Sequence, residues 1–114
     1  MDSLLGEIRA QIDLILAEIH SIRQHLIAVS HNSLSRARNG RTLIENRFAN
    51  IRSEIAGPNI NSVHFLFPNN PIELAELTGS QLDILEVFYG LEFSGTTLAS
   101  RQRQFSIFIG YDSA

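Results

Sequence analysis

The 114-residue chain contains no cysteine, no tryptophan and no lysine. Without cysteine there are no disulfides, no thiolate metal sites and no cysteine nucleophile, and the redox compartment cannot be read from the chain. No run of about 18 uncharged apolar residues is present, which argues against a spanning helix. Charged residues make up only 18% of the chain while apolar ones make up 44%. That balance is too hydrophobic for intrinsic disorder. It is also poor in charge beside the roughly 25% of ordinary soluble proteins, so surface buried against a partner is expected. The length corresponds to roughly one small domain, or to a small head on a stalk.

Reaction chemistry is missing as well. There is no Gly-x-Ser-x-Gly elbow, no phosphate loop and no dinucleotide fingerprint. The four histidines are His20, His25, His31 and His64. His20 and His25 stand five apart, not at the three- or four-residue spacing that puts two ligands on one helix face, and all four read as solvated surface groups. Glu73, Glu76, Asp83 and Glu86 read as capping and solvent-facing residues rather than a general acid–base pair. The expectation is a non-enzymatic protein without cofactor or metal. Asp2, Glu7, Arg9 and Asp13 stand where a signal peptide would be uncharged. An intracellular protein, cytoplasmic or nuclear and without membrane contact, is therefore expected. All nine cations are arginine, where ordinary usage predicts about six lysines. Escape from lysine-directed modification and simple compositional drift both account for that.

What is present first is a heptad repeat. Leu5, Ile8, Ile12, Ile15, Ile19, Ile22, Leu26 and Val29 follow one another at alternating spacings of three and four. Such a 3.5-residue period keeps one seam turned toward a partner as helices supercoil. Leu5, Ile12, Ile19 and Leu26 are the a positions, and Ile8, Ile15, Ile22 and Val29 the d positions. No leucine stands at d, as parallel dimers prefer, and Leu at a with Ile at d shifts preference toward more chains. Leu14 at c and Leu16 at e widen the apolar face. Glu18 at g and Arg23 at the next e suit an interhelical ion pair in a parallel coil. The expected order is tetramer, then trimer, then dimer. The next seam positions are Ser33 and Arg36, so the repeat stops near Ser30, giving a coil about 40 Å long.

Charge then changes sign. Residues 1–35 carry four acids and two arginines, residues 36–56 five arginines and two glutamates, and residues 57–114 six acids and two arginines. The basic waist of Arg36, Arg38, Arg41, Arg47 and Arg52 is a candidate contact for an anion or nucleic acid. Asn39-Gly40 is a turn or cap signal. Ile44, Phe48, Ile51 and Ile55 fit a short amphipathic helix over residues 42–56, with a strand as the alternative, and Gly57-Pro58 ends the segment. Val63 to Phe67 reads as an extended segment or short strand. The division expected is a coiled-coil helix over 1–30, an Arg/Asn-rich connector over 31–57 and a small head over 58–114.

The head reads as three short helices. Asn70, Pro71 and Glu73 form a capping arrangement for a helix that stops at Gly79. Ser80 starts a second, ending at Tyr89-Gly90. Thr96 or Thr97 caps a third, which ends at Gly110. The aromatic residues from Phe65 to Tyr111 are the head's core or an inter-subunit contact. The fold class expected is all-α: a parallel coiled coil followed by a helical head, with one short extended segment.

Phe67-Pro68, Leu74 to Gly79, Gln81-Leu82-Asp83, Tyr89-Gly90-Leu91, Ser94-Gly95, Arg101 and Phe108-Ile109-Gly110 resemble the C-terminal domain of a fungal family named for a fission-yeast gene upregulated in meiosis. The resemblance covers about two thirds of the chain. It implies an N-terminal heptad segment followed by an Asn/Arg-rich stretch, here Asn32 to Asn39, and no catalytic residues. It also carries a third reading, a self-assembling toxin–antidote element of the spore-killing kind. Leu77, Leu82, Leu85, Gly90-Leu91 and Ser94-Gly95 resemble in addition the SAP helix–extended–helix DNA-binding module. SAP modules place lysine or arginine where this chain has Thr96 and Thr97. The leading reading is a homo-oligomeric scaffold whose partner is itself, with a protein partner for the head as a further expectation. The second is a nucleic-acid or chromatin-associated module using the arginine waist.

Overall fold

The computed structural model describes residues 2–43, 46–93 and 97–111. Among these the fold is all-α, with no strand. Helix α1 spans Asp2–Asn39, α2 Pro71–Ala75, α3 Gly79–Tyr89 and α4 Leu98–Ile109. At 1.5 Å per residue α1 is about 57 Å long. It dominates a molecule of 65 × 28 × 20 Å whose radius of gyration is 18.6 Å. A compact chain of this length would have a radius near 13 Å. The excess comes from α1, whose first two thirds project beyond the head.

The head closes on one core. Phe48, Ile51, Phe67, Leu74, Leu77, Leu82, Leu85, Tyr89, Phe105 and Ile109 are buried together. Local signals set its helices. Asn70 accepts from the Glu73 amide at 2.8 Å, with Pro71 at the first helical position. Thr97 accepts from the Ser100 amide at 3.1 Å. Gly90 and Gly110 end α3 and α4 in the left-handed region, where glycine has no Cβ to clash. Arg101 on α4 reaches Asp83 at 2.6 Å and Glu86 at 3.0 Å, which locks α4 to α3.

Four local expectations are corrected. Helix α1 outlasts the repeat that ends near Ser30 and runs to Asn39, into the stretch assigned to the connector. Residues 42–56 are not a helix: those described are extended or in turns. Val63 to Phe67 forms no strand: the chain turns once at Phe65-Leu66, with the Phe67 amide bonded to the His64 carbonyl at 3.0 Å. Gly79 does not stop α2, which ends at Ala75; it opens α3, capped by Thr78 in a capping box with Gln81. The expected cap at Thr96 and the Ser94-Gly95 turn lie outside the described residues, as does Ile44.

One set of contacts explains the first two corrections. Ala28, Asn32, Ser35 and Asn39 are buried along one stripe of α1. Asn39 donates to the Ala49 carbonyl at 2.9 Å and to the Ile109 carbonyl at 2.8 Å, and accepts from the Ala49 amide at 2.7 Å. Asn32 donates to the Arg52 carbonyl and accepts from the Arg52 amide, both at 2.7 Å. His25 donates to the Glu54 carbonyl at 3.0 Å. These three residues stand one heptad apart. Seven helical residues rise about 10.5 Å, and the three extended residues from Ala49 to Arg52 advance about 10 Å. Between Asn39 and Asn32 the two repeats match, so these two side-chain amides act as the neighbouring strand for an antiparallel segment, while the step from Arg52 to Glu54 opposite His25 is only two residues. The Phe48 amide bonds to the Asn69 carbonyl, and Ser53 pairs with Asn61 and Ser62. With its backbone groups used this way, the segment cannot also make i to i−4 bonds. Asparagine and serine, poor residues in a free helix, hold α1 helical here because the head needs their amides and small size.

Candidate oligomerisation face and basic groove

The stripe that carries the head is not the stripe that carries the heptads. Ala28, Asn32, Ser35 and Asn39 each precede a seam position by one residue, which is about 100° around an α-helix. The head therefore leaves the seam uncovered. Leu5, Ile8, Ile12, Ile15, Ile19, Ile22 and Leu26 are between 41% and 58% exposed. Val29, beside the head, is half-buried. From Ser3 to Arg23 every residue of α1 is exposed, Glu18 and Arg23 included. A row of seven large aliphatic side chains thus runs along a projecting helix with none of the head's described residues covering it.

The seam ends where the head takes over its next position. Arg36, at the following d slot, donates from Nε to the Phe108 carbonyl at 2.7 Å. Its guanidinium lies 5.0 Å from the Phe108 ring centroid and 3.7 Å from Glu54. One residue thus terminates the apolar row and fastens α4 to α1.

The five waist arginines separate into different environments. Arg36 is committed to the head. Arg52 is held through its backbone by Asn32, and its side chain lies outside the groove that the others form. Arg38, Arg41 and Arg47 are exposed and line one groove of about 450 Å³, together with Thr42 and Asn46. A second furrow of about 640 Å³ adjoins it, sharing Arg38 and Arg41 and adding Leu34, Ala37, Phe48 and His31. Sequence reasoning identified the arginines but missed Thr42, Asn46 and the furrow, because it placed a helix where the extended segment runs.

Three histidines are not free surface groups. His25 caps the Glu54 carbonyl. His31 Nε2 lies 3.1 Å from both the carbonyl and the side-chain oxygen of Asn50. His64 Nδ1 accepts from the Leu66 amide at 3.0 Å, and its ring packs on Phe65 and Phe88. Among the described residues no three of His, Asp and Glu come together as a metal-ligand set. No described helix is long and apolar enough to cross a membrane.

On the far side of the head, Ile84, Val87 and Phe88 of α3 face Ile55 and Pro58 across an apolar groove of about 700 Å³. Val87 and Phe65 are the most exposed large apolar residues of the head, at 81% and 88%. Tyr89 lies beneath: its hydroxyl donates to the Ile51 carbonyl at 2.7 Å, and burial raises its pKa above the ordinary tyrosine value. The hydrogen bond that Arg101 donates to Asp83, and the charges of Asp83 and Glu86, raise the pKa of the Arg101 guanidinium.

Comparison of the chain with protein-family models, with curated proteins and with solved structures finds no match to any of the three.

Proposed function

We propose that this chain is a non-enzymatic, homo-oligomerising scaffold: α1 joins copies of itself in a parallel coiled coil, and each copy carries one helical head. The observation that carries the reading is the uncovered seam from Leu5 to Leu26, set about 100° from the face that the head occupies. Seam and head can be satisfied at once, which an ordinary helix folded onto its own domain would not need.

Magnitudes support association. Fully burying a Leu or Ile side chain is worth about 1.5–3 kcal/mol. The seven exposed seam residues have roughly half of that still to gain, or about 7 kcal/mol per chain. Two chains would gain about 14 kcal/mol against an association cost of about 4–15 kcal/mol. A two-chain coil is therefore marginal, and a bundle that covers Leu14 and Leu16 as well does better. The absence of Leu at d points the same way, and the proposed order is four chains, then three, then two. Arg9 and Arg23 at e would oppose each other in an antiparallel pair centred on Leu16, whereas Glu18 and Arg23 attract in a parallel one.

Folding of α1 is then coupled to association, and the melting temperature must depend on concentration. Thermal unfolding followed by far-ultraviolet circular dichroism over a hundredfold range of protein concentration tests this. A helical transition whose midpoint climbs with concentration supports the scaffold. A midpoint independent of concentration overturns it.

A further inference from the structure

We propose that the groove formed by Arg38, Arg41 and Arg47 binds the phosphate backbone of a single-stranded nucleic acid, with bases entering the adjoining furrow beside Leu34 and Phe48. The head's other fixed arginines show what a structural arginine looks like here. Arg36 has a carbonyl, a ring and Glu54, while Arg101 has Asp83 and Glu86. Among the described residues, the side chains of Arg38, Arg41 and Arg47 have no such partners, and no described carboxylate lines their groove. Three like charges gathered in one groove repel one another, and an anion between them removes that repulsion.

The chemistry of the groove favours phosphate. Guanidinium presents a planar fork that meets two phosphate oxygens at once, which an ammonium cannot do. The arginines sit on a fixed frame. On one side the Gly40 and Thr42 amides bond to the Arg36 and Asn39 carbonyls. On the other, Asn39 clamps Ala49, and the Phe48 amide bonds to Asn69. The furrow decides between single and double strands. It shares Arg38 and Arg41 with the groove, and Leu34 on its wall is 71% exposed. A strand whose phosphates meet those two arginines has unpaired bases in reach of an apolar wall, where the exposed Leu34 and the edge of the largely buried Phe48 take the place of the open aromatic faces common in single-strand binders. A duplex hides its bases and gains only the phosphate contacts. Several grooves at one level of a coil would add avidity, and only that increment rests on the scaffold reading.

The test is fluorescence anisotropy of a labelled poly-thymidine oligonucleotide against the full chain, with mass by light scattering on the same samples. Three phosphate contacts to a single strand give a slope of log affinity against log salt near −2, or about a twentyfold loss between about 50 and 200 mM salt for each groove engaged. The variant Arg38→Gln/Arg41→Gln/Arg47→Gln is expected to lose that binding at unchanged mass, while the exposed control Arg103→Gln keeps it. Leu34→Gln is expected to weaken the single strand and leave duplex binding as it was. Tripolyphosphate that competes as well as the oligonucleotide at equal phosphate would overturn the base furrow and leave a bare phosphate site. The absence of binding at about 50 mM salt, or equal binding by the triple variant, overturns the groove whatever the mass. A monomer mass with binding lost only in the triple variant upholds the groove and overturns the scaffold.

Discussion

Ile15→Asp separates the seam from every other feature of the molecule. Ile15 is 55% exposed on the projecting part of α1, and no residue of the head lies against it. In a lone chain the substitution adds an exposed charge to a helix and leaves the head's core untouched, so head stability should change by less than about 0.5 kcal/mol. In a coil it places one carboxylate per chain in the same apolar layer. Each chain loses about 1–2 kcal/mol of seam burial, and each buried carboxylate costs several kcal/mol more. For four chains the sum exceeds about 10 kcal/mol, enough to dissociate any assembly held by the seam energies given above. The assay is sedimentation velocity, with tyrosine fluorescence reporting the head. The expected result is a drop to the mass of one chain with the head still folded. Ala17→Asp, at an f position of the same helix, should keep the parent mass. An Ile15→Asp protein that sediments like its parent would refute the seam.

Three further outcomes follow from the head. Asn39→Ala leaves two carbonyls and one amide without their partners and is expected to cost about 3–5 kcal/mol in urea unfolding. Asn39→Asp should be worse, because a carboxylate oxygen would then face the Ala49 and Ile109 carbonyls; an Asp variant more stable than the Ala variant would refute the bonding pattern. Gly110 has φ of 91°, and a Cβ there would stand 2.5 Å from the Arg36 carbonyl oxygen. Gly110→Ala should therefore cost about 2–4 kcal/mol, whereas Gly40→Ala, whose nearest contact would be 3.4 Å, should cost less; equal losses would contradict that close approach. Tyr89 stays protonated in the folded state to a pH above the ordinary tyrosine range, so its contribution is complete below pH about 10 and falls as pH rises further. The slope is about 1.4 kcal/mol per pH unit. Alkaline unfolding monitored by circular dichroism should show it, and Tyr89→Phe, which also loses its bond to Ile51, should abolish it.

The parts of the fold that were legible in the sequence are those set by local rules. The long N-terminal helix follows from its period. Asn70, Thr97, Gly90 and Gly110 mark helix ends because capping depends on a few neighbouring residues. The parts that were not legible depend on contacts between distant residues. Asn32, Ser35 and Asn39 are poor helix residues in isolation, where they compete with the helix for hydrogen bonds. Here their side chains are engaged by, or packed against, residues 49–54 and α4, and the helix continues through them. Phe48 and Ile51 sit at a helix-like spacing, yet both reach the core from an extended chain whose polar groups Asn32 and Asn39 satisfy. Gly79 looked like a stop because glycine ends so many helices; Thr78, with Gln81 three residues on, was the stronger signal. At the candidate site the seam could be read from the primary structure, whereas the division of the arginines could not. Nothing local distinguishes Arg36, bound to Phe108 seventy-two residues away, from Arg38, whose side chain has no partner among the described residues.

Absolute mass by light scattering across a tenfold concentration range is the most direct test of the scaffold. One chain is 12.8 kDa. The account predicts a stable mass near four chains, about 51 kDa, with three chains, about 38 kDa, as the next outcome in order. A mass of one chain at every concentration would contradict it, since the row from Leu5 to Leu26 would then remain open to water with nothing to cover it.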